Sequence, residues 1–488
     1  MKSFRMLTAA VLAAAILPRL AQRGMFVDGV TYASIARNLA EGRGSFWAPS
    51  YTATVYPQFH EHPPLGFWLQ SLWFRLLGDH LFVERAYSLA AAIGTAWLIA
   101  WIWRRLHAAG GGEPDGADGA GARLRAGRDF EWLPILFWII VPVVSWVIVG
   151  NLLEASLSLW TTAAVGAAVA AGVAARPTVS AGWGMLSGVF VVAGVLTKGP
   201  VALFPLAAPV ALCLISGPRR AVAALAGQWG VVALCGVALF SFDAPRTSLT
   251  QYVDQQVLAS LGGRREMSAG SWTIIVQLVS GVLAPMILAG ALVVVAARRY
   301  ERPGRRQAAQ AAALFALGLA GTLPIVASVK QAGHYLVPAV PLYALAAATA
   351  FAPTVTAMSA RFAPAALDRL VHGLSAVAFL AAIAGAFVPA LGRDRSRLAV
   401  LDALASSVPR GATVGICPGS NGDWGLHAWF ERRFVVSLDA ANGTQREWFL
   451  ATDAPGPGCP PANCTAVTDP RRQLILMRCP GGPQPSGR

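Results

Sequence analysis

About eleven stretches of this chain are long and apolar enough to cross a bilayer, and they leave room for few other folds. A spanning helix needs about 20 mostly apolar residues. Windows of that kind fall near residues 4–24, 83–104, 132–149, 151–173, 181–197, 199–216, 222–242, 272–297, 311–328, 335–352 and 369–391. With 13% charged residues in 488 and a mean hydropathy of +0.53, the chain is too apolar to be soluble and globular. Its net charge of +15 does not point to nucleic acid. The arginines sit in short runs between apolar windows, the pattern that orients spans in a membrane. The first window is short and is followed by Arg19 and Arg23, as a signal peptide would be. No small-residue cleavage site stands before Asp28, so the window is read as a span.

If the N-terminus is cytoplasmic, the inner loops collect Lys2 and Arg5, then Arg104, Arg105, Arg123, Arg125 and Arg128, then Arg176, Arg219 and Arg220. Arg298, Arg299, Arg302, Arg305, Arg306 and Arg361 follow on the same side. The glycine-rich tract between Leu106 and Glu131 reads as a flexible cytoplasmic connection. An odd number of spans then puts residues 25–82 and 393–488 outside. Cys417, Cys459, Cys464 and Cys479 lie in that outer tail. Exterior cysteines usually pair, and of the three pairings open to four cysteines the expected one joins Cys459 to Cys464 and Cys417 to Cys479. A helix over Leu398 to Leu404 and the strands ATVGIC, RFVVSL and QLILMRC predict a small extracytoplasmic α/β domain over 393–488. The transmembrane domain, an α-helical polytopic one, then covers 1–392.

The polar exceptions gather on one side. In the first outer loop, 25–82, Asp28 precedes a short helix with Tyr32, Ile35, Ala36 and Leu39 on one face and Ser34, Arg37, Asn38 and Glu41 opposite. That pattern predicts a helix lying along the membrane surface. HEHPPLGFW follows, then a second amphipathic piece, Leu65 to Leu77. Glu154 opens a span, Lys198 precedes Gly199 and Pro200, and the loop 243–271 carries Arg264 and Arg265. SVKQAGHYLVPAVPLY brings Lys330, His334 and Tyr335. By the alternation of spans, all of these are outside.

Asp28 and Glu61, with Glu154 nearby, have the makings of general-base chemistry, because a water–lipid border can tune a carboxylate. The plainer readings are an N-cap for Asp28, a rim residue paired to His60 or His62 for Glu61, and an ordinary helix-start acid for Glu154. Lys198, Arg264, Arg265 and Lys330 could together hold a phosphate and stabilise it as it leaves, whereas singly each could simply snorkel. His60, Glu61 and His62 could bind a divalent metal. Adjacent residues of an extended segment point in opposite directions, so the triplet alone is a poor three-ligand set, and no metal ligand is assigned.

Four pieces of the chain, in order, carry a resemblance: VDGVTYASIARNLAEGRGSFWAP, FHEHPPLGFWLQSLWFRLLG, VLTKGPVAL and SVKQAGHYLVPAVPLYAL. Together they resemble the polyprenyl-phosphate-dependent glycosyltransferases of the GT-C fold, the group of bacterial aminoarabinose transferases and protein O-mannosyltransferases. The resemblance spans residues 25–343 and implies a cavity open to lipid and water. It also implies inverting transfer of a hexose or pentose from a polyprenyl-phosphate carrier to a lipid, glycan or protein hydroxyl, on the outer face of a bacterial inner membrane. It gives Asp28, Glu61 and Glu154 catalytic positions. Lys198, with Arg264, Arg265 and Lys330, would bind the donor phosphate, and Tyr32, His60, His62, His334 and Tyr335 the substrates. Two departures stand out: Gly29 follows Asp28 where the family often has a second acid, and His62 follows Glu61 where it often has lysine. A transporter or lipid flippase is the rival class. Against it, the chain shows no internal repeat and its polar residues sit at one rim rather than at the midplane.

Overall fold

The computed structural model describes residues 2–108, 130–213, 217–264, 270, 272–440, 446–452, 459–469 and 473–480. The chain is a multi-pass, mostly helical membrane protein with a small sheet near its C-terminus. It divides into two compact units. One comprises 1–21, 61–66 and 85–389; the other comprises 22–60, 67–84 and 390–488. This division differs from a border at 392, because most of the first outer loop clusters with the tail.

In the first unit, nine helices among the described residues are long and apolar enough to span a membrane. They include α1 (Lys2–Leu20), α4 (Val83–Ala108), α7 (Leu153–Gly172), α8 (Pro177–Lys198) and α9 (Pro218–Ser241). The pair α5 (Trp132–Ile139) and α6 (Pro142–Val149) is apolar enough to span when taken together, but it is bent by 78° at the break before Pro142. Among its described residues the window at 199–216 forms no long helix. Helices α8 and α9 run parallel: Ser180 donates to the Arg220 carbonyl at 2.8 Å, Gly184 lies against Ala224, and Gly188 against Gln228. The chain between Lys198 and Pro218 must therefore return along the length of α8.

That return is broken because Pro200, Pro205 and Pro209 cannot donate to a helix ladder. Among its described residues it folds as single turns, Gly199–Ala202, Phe204–Ala207 and Ala208–Ala211. Irregular backbone at membrane depth needs partners from the protein. Gln228, fully buried on α9, donates to the Pro205 carbonyl at 3.1 Å and to Ser187 Oγ at 2.8 Å. The nine long helices fall on nine of the eleven windows read from hydropathy, and the bent pair falls on a tenth. Glycines at α8–α9 contacts replace side chains with backbone at close approach, so the helices pack without an apolar-solvent driving force.

In the second unit, α2 (Val27–Ala40) does not leave its polar face to water. Its expected polar face is buried, with Ser34, Arg37 and Asn38 each at 1% exposure or less, against α16 (Trp424–Phe434). α3 (Leu65–Leu77) supplies Phe74 to the same core. The sheet has the order β2-β1-β3-β5-β4, from Thr413–Ile416 (β1), Ser437–Asp439 (β2), Trp448–Thr452 (β3), Thr465–Ala466 (β4) and Leu474–Arg478 (β5). β1 pairs in parallel with β2 and β3, while β5 runs antiparallel to β3 and β4. The core joins Val414, Ile416, Leu438, Leu450 and Leu476 to Trp429 and Phe430 of α16, Leu401 of α15 (Arg395–Leu404), and Met25, Val30, Ala33 and Ala36.

Two expectations are corrected here. RFVVSL is not one strand: Arg433 and Phe434 end α16, Val435 caps it with a left-handed backbone (φ 60°), and β2 starts only at Ser437. The disulfides join Cys417 to Cys459 and Cys464 to Cys479 rather than Cys459 to Cys464 and Cys417 to Cys479. Register decides this. Thr465 pairs with Arg478 across β4 and β5, so Cys464 and Cys479 stand at the flank of the same ladder with Cα atoms 4.1 Å apart.

Candidate active site

The site lies inside the first unit, where two helix ends meet. Glu154 sits in the first turn of α7, after the left-handed Asn151 (φ 55°), and Lys198 is the last residue of α8. A carboxylate at a helix N-terminus and an ammonium at a C-terminus are each favoured by the helix dipole. Lys198 Nζ donates to Glu154 Oε1 at 2.6 Å, with the acid fully buried and the lysine side chain 10% exposed. Gly199 turns the chain away with φ +77°, and a Cβ there would fall 2.0 Å from the Tyr252 hydroxyl. That hydroxyl, at the end of α10 (Asp243–Tyr252), donates to the Lys198 carbonyl at 3.2 Å and so fixes the turn.

The segment before α13 (Val340–Ser359) supplies the other wall. Gly333–Ala339 is a 3-10 stretch, pinned where Thr161 of α7 donates to the Pro338 carbonyl at 3.1 Å. It places His334 Nε2 3.6 Å from Glu154 Oε1, and sets the Tyr335 ring beneath Lys198, 5.2 Å from Nζ to ring centre. The rings of His334 and Tyr335 meet edge to face at 4.5 Å. Upstream, Gln331 accepts from the Ile274 N–H at 3.0 Å and donates to the Val326 and Ser328 carbonyls. This irregular stretch is therefore held from three sides.

These groups open onto a cavity of about 540 Å³. Its polar side presents Glu61, His62, Glu154, Lys198, Lys330 and Tyr335; its apolar side includes Leu157, Val201, Phe204, Val257, Leu261 and Ile325. Residues from five separated parts of the sequence thus converge, and all lie at one end of the crossings that carry them. His334 stands behind the wall, on Glu154.

The other expected site residues that are described are not among those lining this cavity. Asp28, Tyr32 and His60 belong to the second unit. Asp28 is within the first turn of α2 and is not its N-cap, a position taken by Phe26. Tyr32 is buried at 3% exposure against the Phe67 ring at 5.5 Å. His60 is buried, and burial holds its imidazole below the ordinary pKa. Arg264 is exposed, donates its backbone N–H to the Ala259 carbonyl and does not line the cavity. Arg265 lies outside the described residues. No group of three or more histidine, cysteine, aspartate or glutamate side chains among the described residues is set to hold a metal ion. Tyr252 and Gln256 line the cavity and were not read from the sequence; their signal was a polar and aromatic cluster, QYVDQQ, in an outer segment next to a span.

No family model matches this chain, and no curated protein matches it. Solved structures do match. ArnT from Cupriavidus metallidurans bound to undecaprenyl phosphate is 16% identical with a TM-score of 0.62, covering 98% of each chain. The apo structure of the same protein is 16% identical with a TM-score of 0.59, covering 96% of each chain. The chain has the GT-C fold. The likeness runs the full length, tail included, which the four motifs up to residue 343 did not reach.

Proposed function

We propose that this chain is an inverting GT-C glycosyltransferase of a bacterial inner membrane, with the N-terminus cytoplasmic and the site on the outer face. It moves a sugar from a polyprenyl-phosphate carrier to a hydroxyl of a lipid, glycan or protein. The observation that carries the reading is the cavity itself, in which two lysines face an apolar wall. A lipid phosphate needs both: cations for the head and hydrocarbon for the chain. The solved ArnT structure with undecaprenyl phosphate is in keeping with such a ligand.

In this reading the acceptor oxygen attacks the anomeric carbon from the face opposite the phosphate. The C–O bond to phosphate breaks, its electron pair stays on the phosphate oxygen, and configuration inverts. Lys198 and Lys330 take up the charge on the departing phosphate, an electrostatic role that needs no proton transfer. Glu154 is a positioning residue: its carboxylate holds Lys198 and its burial keeps water from competing. Glu61, on the cavity wall, orients sugar or acceptor together with His62. Asp28 takes the acceptor proton, a role resting on the first motif. The rival reading of a transporter has no observation in its favour here.

The test is to incubate purified protein with a panel of polyprenyl-phosphate sugars and follow both transfer to a lipid acceptor extract and release of the lipid phosphate. Lys198→Met should lower turnover by about 10²- to 10³-fold, as expected for loss of one group aimed at developing charge. Unchanged turnover in that variant would remove Lys198 from the chemistry. Unchanged turnover in Asp28→Asn would remove the base.

A further inference from the structure

We infer that the second unit holds a separate binding site for the head group of an anionic phospholipid. A cavity of about 360 Å³ within this unit is lined by Arg23, Arg410, Arg432 and Arg433, with Asp79 and Glu84. The acids do not neutralise the cations completely. Arg432 is held by Asp79, at 2.5 Å and 3.1 Å, and by Glu84 at 2.8 Å. Arg23 grips both oxygens of Asp402, at 2.8 Å and 2.9 Å, and Arg433 reaches the same carboxylate at 2.6 Å. Four guanidinium groups against three carboxylates leave one positive charge. A guanidinium has five N–H donors, so exposed Arg410 and the remaining N–H groups of Arg433 are placed to take a further anion. One net charge suits a phosphodiester, which carries a single negative charge, better than a terminal phosphate.

The position along the chain identifies the source of that phosphodiester. Arg23 stands three residues beyond Leu20, the end of α1, and Glu84 is the second residue of α4, so both belong to the border where crossings begin. The same border exposes apolar side chains that water would not favour: Leu76 at 82%, Leu81 at 53% and Phe82 at 68%. Leu81 also lines the cavity. Hydrocarbon beside a cationic pocket matches a lipid, with acyl chains against the leucines and head group among the arginines. A soluble anion would leave the apolar rim without a role. The Asp402 carboxylate, held down to a pKa of about 2 by Arg23 first and Arg433 second, stays ionised and keeps the count at one.

Native mass spectrometry of the whole chain in a non-ionic detergent tests this, with dioleoyl phosphatidylglycerol and dioleoyl phosphatidylcholine added separately. The expected result is one retained phosphatidylglycerol per chain and no retained phosphatidylcholine. Arg410→Gln and Arg433→Gln should each lower retention about tenfold, the effect of one charge-assisted hydrogen bond. Arg433 also holds Asp402, so if Arg433→Gln unfolds more readily, the exposed Arg410→Gln carries the test alone. Leu81→Ser with Phe82→Ser should lower retention as well. Equal retention of both lipids, or wild-type retention in Arg410→Gln, overturns the site. Displacement by inorganic phosphate, with glycerol phosphate binding as well as the full lipid, overturns the lipid assignment and leaves a soluble-anion site.

Discussion

Each unit of this protein buries an ion pair, and the two pairs are built to opposite ends. In the second unit, Arg37 spends every donor. Its Nε and one terminal nitrogen reach Asn38 Oδ1 at 3.2 and 2.8 Å, the other takes the carbonyls of Glu431 and Arg432 at 3.0 and 2.9 Å, and Glu431 Oε1 is met at 2.7 Å. In the first unit, the Lys198 ammonium makes one hydrogen bond among the described residues, to Glu154, and turns its remaining face to an aromatic ring and a cavity. A saturated buried charge holds chain segments together; an unsaturated one beside a void is placed to receive something. The surroundings show the same contrast. Burial pushes the Glu431 carboxyl above its usual range despite Arg37, and pulls Arg37 down to about 10, so this pair bears a desolvation cost with no ligand to offset it.

The sharpest way to break the comparison is to replace both partners of each pair by apolar residues. Exchanging a buried ion pair for well-packed hydrophobic residues is often neutral or stabilising, whereas removing one partner costs about 3–5 kcal/mol. Glu154→Met with Lys198→Met should therefore unfold near the wild-type temperature while sugar transfer is lost. Arg37→Met with Glu431→Leu should remain costly, by several kcal/mol, because Asn38 and two carbonyls lose their partners as well. Thermal unfolding of both double variants decides it. A stable second-unit double variant would show that Arg37 is no clasp, and a collapsed first-unit one would make Lys198 structural.

A smaller effect concerns the turn that aims Lys198. Tyr252→Phe removes one hydrogen bond to the Lys198 carbonyl, worth about 0.5–1.5 kcal/mol, and leaves the ring that shapes the cavity. Turnover should fall several-fold, with affinity for the lipid-linked donor less changed. Tyr252→Phe with unaltered turnover would mean that Gly199 and its neighbours fix the turn without help.

How much of this was legible in the sequence follows the same division. Crossings were, because a bilayer demands about 20 apolar residues and the chain supplies them. Even the proline-broken return at 199–216 was visible as a window, though hydropathy cannot say that Pro200, Pro205 and Pro209 would divide it. Glu61, His62, Glu154, Lys198, Lys330 and Tyr335 stood out as polar residues in apolar surroundings, and one cavity collects them. Arg264 stood out equally and is elsewhere, since charge alone does not report direction. The second unit was harder to read. The polar face of α2 looks like a water face until Glu431, nearly 400 residues away, is known to cover it. RFVVSL reads as one strand because its two valines follow directly on Arg433 and Phe434, which in the fold close α16. Disulfide pairing depended on a strand register that spacing does not contain.

The least effect, and the one that separates surface from buried charge, is the acid response of the second unit. Asp402 is held down to about 2 by Arg23 and Arg433, against an ordinary carboxylate near 3.8. A lowered native pKa means stability that is present above the unfolded value and lost as pH falls through the native one. The loss therefore belongs between about pH 4 and pH 2. Because Asp402 is 42% exposed, solvent screens the pair and its worth is below about 1 kcal/mol. Asp402→Asn should flatten the melting temperature over that pH window by a degree or two and change nothing at pH 7 beyond a similar small offset. Glu431 should behave in the opposite sense, since its raised pKa makes deprotonation the unfavourable step. Glu431→Gln, which keeps an acceptor for Arg37 and cannot ionise, should remove the stability loss that accompanies Glu431 deprotonation as pH rises, the reverse of what Asp402→Asn does at low pH. An equal response of the two variants across the pH range would mean that burial does not distinguish these pairs.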